Sequence, residues 1–115
     1  MRNVSVRAHL GAMTAAVLLM SLVPVLAFAE STISQVITRA QFDAASQVYY
    51  FAGAAKWGAP SCPNAEYAFF RSSLTGHKEL FAMILAAYHA GKTVAFAGNC
   101  LSDPNYIEVS YVWVQ

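Results

Sequence analysis

Apolar and polar positions alternate along the chain in two rhythms, and the places where the rhythm changes divide it into elements. Residues 33–42 set Val36, Ile37 and Phe42 against Gln35, Thr38 and Arg39, which predicts a first strand with one wet face. Asp43-Ala44-Ala45-Ser46 marks a turn, and residues 47–53 (QVYYFAG) are dense in strand formers. Residues 53–63 hold two glycines and two prolines and read as a loop; residues 66–72 (EYAFFRS) read as a third strand.

At residue 76 the period lengthens. Leu80, Ile84, Ala87 and Tyr88 recur at helical spacing and Phe81 and Leu85 widen the stripe, while Lys78, Glu79, Ala82 and His89 lie mostly off it. The pattern predicts a helix with Ile84 and Tyr88 facing the core. Thr75 or Gly76 caps its start, Glu79 suits the positive end of its dipole, and Gly91 stops it, since glycine takes positive φ without a Cβ penalty. Residues 94–99 then read as a short buried strand and Leu101-Ser102-Asp103-Pro104-Asn105 as a turn. Residues 106–114 (YIEVSYVWV) alternate most clearly, with Ile107, Val109, Tyr111 and Trp113 expected on one face and Glu108, Ser110 and Val112 on the other.

Three strands, a helix and two strands is the order of the OB-fold, a five-stranded, partly open barrel. The expected fold class is therefore mainly β with one helix: a small OB-like barrel, order β-β-β-α-β-β. An open sandwich with one covering helix is the competing architecture.

Residues 1–29 change the bulk picture. Arg2 and Arg7 make a basic head, residues 10–26 an apolar run and Ala27-Phe28-Ala29 an A-x-A cleavage site, so a secretion signal is expected, cut after Ala29. A membrane anchor fits less well, because Pro24 and the small residues at the end suit cleavage better than a span. The mature chain, residues 30–115, is then one domain without a membrane span. Losing Arg2 and Arg7 leaves five basic residues against six acidic ones, so no basic surface is expected to hold nucleic acid. Export also places Cys62 and Cys100, the only cysteines, in an oxidising compartment, secreted or periplasmic, where they are expected to pair. Closing that loop is worth roughly 4 kcal/mol in the chain-entropy account.

Few residues carry chemistry. His77 and His89 are too far round a helix from each other to make an i, i+4 zinc pair. Ser72 and Ser73 lack a glycine-flanked nucleophile elbow, and Asp43, Glu66, Glu79, Asp103 and Glu108 are scattered without the spacing of an acid–base pair. The expectation is no enzyme, no metal and no cofactor. What remains is aromatic: tyrosine and tryptophan suit cores and contact surfaces alike, because one end is polar. Trp57, in the glycine- and proline-rich loop, is the first candidate for a ligand contact, with Tyr49 and Tyr106 beside it. The other reading of Trp57 folds it back over the barrel beside the disulfide.

Lys78-Glu79-Leu80, the aromatic Tyr88, then Gly91 and Val94 carry one family resemblance. Over residues 77–97 the chain resembles, without gaps, the helix and following strand of the B subunits of subtilase cytotoxin and typhoid toxin, secreted sugar-binding pentamers of the AB5 class. The resemblance implies the same OB-type fold, a host glycan as ligand, a homo-oligomer with the pentamer as the family's form, and a toxin A subunit as partner. The family's sugar-contacting serine and its neighbours find no match in residues 31–51. The alternative, from a different class, is a periplasmic or secreted structural or protein-interaction domain on the same small barrel.

Overall fold

The computed structural model describes residues 29–115; the expected leader lies, but for Ala29, outside them. The elements are β1 (Glu30–Ser31), β2 (Gln35–Asp43), β3 (Val48–Gly53), β4 (Tyr67–Arg71), α1 (His77–Ala90), β5 (Thr93–Cys100) and β6 (Tyr106–Val114). The fold is mainly β with one helix, as expected. Only the two-residue β1, which pairs with Ala97 and Gly98 of β5, has no counterpart in the sequence reading.

Turn chemistry links the first long strands. The Asp43 carboxylate accepts the amides of Ala45 and Ser46 at 3.0 and 3.4 Å, and Gln47 takes a φ of 56° to bring β3 back along β2. Donors from Ser46, its side chain first, and from the Ala45 amide hold that carboxyl below its ordinary range. β2 pairs antiparallel with β3 and β3 with β4; β4 lies parallel to β6, and β6 returns antiparallel to β5. β5 meets β2 again at Gln35 and Val36, so the five long strands form a closed circuit of pairings with a short last seam.

Inside the circuit lie Phe51, Phe70, Phe96, Val94, Ile107 and Val109, each at most 1% exposed, and Ile84 and Ala87 of α1 press on them. Each large side chain of this set contributes about 1.5–3 kcal/mol by leaving water. α1 begins at Gly76 with no side-chain cap, so Thr75 does not serve there. It ends as expected at Gly91, φ 63°, where Gly91 N–H donates to Tyr88 and Lys92 N–H to Ala87, satisfying carbonyls of the last turn. Tyr88 does not face the core. The buried line runs through Ile84 and Ala87, and Tyr88, one position further round in the last turn, is 37% exposed with its ring against His89.

β6 also departs from strict alternation. Gly98 lies opposite Val109 and Ala97 opposite Tyr111, which leaves Ser110 as an extra residue, a β-bulge that reverses the side to which every later side chain points. Ile107 and Val109 face inward as expected, but beyond the bulge Val112 is the buried residue and Tyr111 and Trp113 face out. Gly98 makes this possible by close approach: a Cβ there would run into the backbone of Glu108 and Val109.

Candidate functional site

The disulfide forms as expected between Cys62 and Cys100, with Cα atoms 5.8 Å apart. It ties the loop after β3 to the end of β5. The Glu30 carboxylate accepts the Ser61 amide at 3.1 Å and the Ser61 hydroxyl, and lies 3.2 Å from Cys100 Sγ. Glu30, Cys62 and Cys100 make the one metal-like grouping among the described residues, and sulfurs joined to each other are not thiolate ligands.

The same loop holds Trp57, and it is no surface contact. Its amide donates to Ala65, its carbonyl accepts from Ile33, its indole N–H donates to the Phe51 carbonyl at 3.1 Å, and its ring meets Phe96 edge-on at 5.0 Å. With every polar group satisfied the side chain is 0% exposed. Of the two readings, the loop folded back over the ring is the one observed. Tyr49 is likewise drawn inward, half-buried against Phe70 at 4.8 Å and Phe81 at 5.0 Å, under the first turns of α1.

Tyr106 alone of the three candidates stands in an open aromatic group, on the opposite face of the sheet from Tyr49. Pairing register assembles it: Gln41 lies opposite Tyr50, Tyr50 opposite Phe69, Phe69 opposite Glu108, and Tyr67 opposite Tyr106. Directly opposed residues share a face, so side chains from four strands converge there. Tyr67 and Tyr106 stack at 5.6 Å with planes 20° apart, and Tyr50 packs against both, at 5.9 and 6.2 Å. Phe69, 3% exposed, backs the group, and the three tyrosines stay half-buried with ring surface open to water.

Charges fringe the tyrosines. Arg39 lies over the Tyr67 ring, 5.2 Å from its centroid, and donates to its hydroxyl at 2.6 Å. Glu66 is 3.8 Å from Arg39 and 3.7 Å from Lys56. Arg71 lies 5.5 Å from the Phe69 centroid and pairs with Glu108 at 3.2 Å. These exposed pairs add little stability. Their consequence is positional, since each polar head is held at the rim of a ring.

Two other hollows lie nearby. A trough of about 390 Å³ runs between Ser73 and Ser110, but its one aromatic lining residue, Phe70, is 1% exposed and offers no face to stack on. An apolar groove of about 400 Å³ between α1 and β6 is lined by Leu80, Met83, Tyr111 and Val112 and holds one acid, Glu79. Tyr50, Tyr67 and Phe69 lie in the stretches QVYYFAG and EYAFFRS that read as strands, but nothing in that reading brings them together. The i, i+2 run Tyr67-Phe69-Arg71 was the available signal, because alternate residues of a strand share a face.

No protein-family model, curated protein or solved structure matches this chain. Among the described residues no helix is long and apolar enough to cross a membrane.

Proposed function

We propose that the chain is an exported, non-enzymatic binding module that holds a host glycan on the Tyr50–Tyr67–Tyr106 face, in the manner of an AB5 toxin B subunit. The single observation that carries this reading is the half-buried tyrosine group with charged and amide side chains at its rim. A sugar ring offers flat patches of C–H edged by hydroxyls, and the face answers both, with ring surface for the patches and Arg, Glu and Gln heads for the hydroxyls. Its place adds support. In the five-strand circuit β3 and β4 are the second and third strands and residues 101–105 join the fourth to the fifth, and OB-folds take oligosaccharides and oligonucleotides on that face and loop. Glu66, Glu108 and Asp103 balance the nearby cations, which favours a sugar over a polyanion.

Assembly into a ring with an A subunit belongs to the same reading, and so does delivery to the periplasm or beyond, supported by the leader composition and the disulfide. A protein-interaction domain is the second reading, favoured by Met83, Tyr111 and Trp113, which stand 50, 54 and 37% exposed beside or along β6. A glycan array with the exported protein separates them. The first reading expects selective binding that falls at least tenfold in Tyr106→Ala; a flat array across sialylated and neutral glycans removes it.

A further inference from the structure

The tyrosine face contains two adjoining hollows. The smaller, about 180 Å³, is lined by Gln41, Tyr50, Tyr67 and Tyr106. The larger, about 270 Å³, shares Tyr50 and Tyr106 and extends to Arg71 and to Leu101 and Asp103 in the turn before β6. Because the same two tyrosines line both, they stand between the hollows as a ridge, their centroids 6.2 Å apart and their planes 59° apart. A flat ligand would span one hollow; two rings joined by a flexible bridge would fill both.

Charge narrows the class. Arg39 and Lys56 share the carboxylate of Glu66, and Arg71 is bonded to Glu108, so each cation of the rim has a carboxylate within 3.8 Å. Asp103 adds a further carboxylate to the larger hollow, where Oδ1 accepts the Asn105 amide at 3.0 Å and the other oxygen is open to an incoming hydroxyl. A carboxylated sugar would meet this acid without an unpaired cation to offset it. On the other side, the Tyr67 hydroxyl accepts from Arg39 and keeps its own proton to donate, and the Gln41 amide offers both donor and acceptor. Donors and acceptors without net charge are what neutral hydroxyls need.

We infer that the face takes a neutral disaccharide, one pyranose in each hollow, with the glycosidic linkage crossing the Tyr50–Tyr106 ridge. The inference rests on the glycan-binding reading above and specifies its ligand. Gln41 and Tyr67 position the ring in the smaller hollow, Asp103 and Arg71 the ring in the larger.

Amide-detected NMR titration of the exported protein with lactose, cellobiose and maltose, with galactose and glucose, and with 3′-sialyllactose tests it. At least one neutral disaccharide should bind tenfold or more tighter than its monosaccharides and shift residues at both ends, near Gln41 and near Leu101 and Asp103. Gln41→Ala, an exposed residue, should reduce that disaccharide to monosaccharide affinity while leaving the monosaccharide in the larger hollow unchanged. The sialylated sugar should bind no tighter than lactose. Equal affinity for disaccharide and monosaccharide, a preference for sialyllactose, or no shift from any neutral disaccharide overturns the inference. The first two outcomes, with shifts still at Tyr106, spare the glycan reading; a flat array together with no shift at Tyr106 from any sugar removes both.

Discussion

The two halves of β6 use the same strand for different ends. From Tyr106 to Glu108 the strand pairs with β4 and from Ile107 to Val109 with β5, and its outward side chains, Tyr106 and Glu108, join a group in which every ring has a charged or aromatic neighbour. From Tyr111 to Val114 it pairs with β5 alone, α1 lies along it, and its outward Tyr111 and Trp113 meet each other at 4.6 Å with no ion pair beside them among the described residues. Both halves turn aromatic rings outward, one in the first and two in the second. The difference is the polar fringe, which in the reading proposed above would orient a hydroxylated ligand on the first half and whose absence leaves the second as bare apolar surface.

One glycine separates the halves, and its loss should have the largest effect. Gly98→Ala drives a Cβ into the Glu108 and Val109 backbone, where no side chain can move aside. Either the bulge opens or β5 and β6 part, and the expected cost is about 4 kcal/mol or more, enough to unfold a small domain. Thermal unfolding followed by circular dichroism should show no cooperative transition at 25 °C or above. A variant that melts like the parent would mean that the halves are not divided by this contact.

The disulfide should weigh on the first half more than on the second. Cys100 lies opposite Ile107, so the bridge to Cys62 anchors the end of β5 beside the tyrosine face, far along the strand from Trp113. Cys62→Ser should cost about 2–5 kcal/mol, the range for a native disulfide in a small secreted domain. Hydrogen exchange should rise first at residues 100–108 and only later at residues 110–114. Uniform loss of protection would show the two halves to be one cooperative unit. Two reactive thiols in the parent protein would end the claim of a bridge.

How far the sequence foretold this depended on whether a feature was local. The five long strands, α1 and its Gly91 stop were legible, because period and turn chemistry act over a few residues. The outward turn of Tyr111 was not, since the bulge at Ser110 exists only through the approach of Gly98 from another strand. Trp57 was ambiguous for the same reason: its burial is decided by the Phe51 carbonyl, Ala65 and Phe96, none of which the loop's composition reveals. In Val48-Tyr49-Tyr50-Phe51 both faces of the strand are apolar, so alternation could not say which tyrosine turns outward. Pairing register decided it, and with it which aromatics form the candidate site.

The smallest effect on stability, and the sharpest test of the contrast, belongs to the second half. Tyr111 and Trp113 are 54 and 37% exposed, so Tyr111→Ser with Trp113→Ser removes part of a buried surface but opens no cavity in the core. Each change should cost about 1–2 kcal/mol, less than the loss of Gly98 or of the disulfide. If the bare half of β6 and the groove beside α1 are where copies of the chain meet, the double variant should lose mass by light scattering. Its sugar titration at Tyr106 should keep the parent's affinity per chain. The complementary Tyr106→Ala should lose the sugar and keep the mass. A double variant that keeps its mass and loses the sugar would join the two halves into a single binding surface, and the polar fringe would no longer mark where the ligand sits.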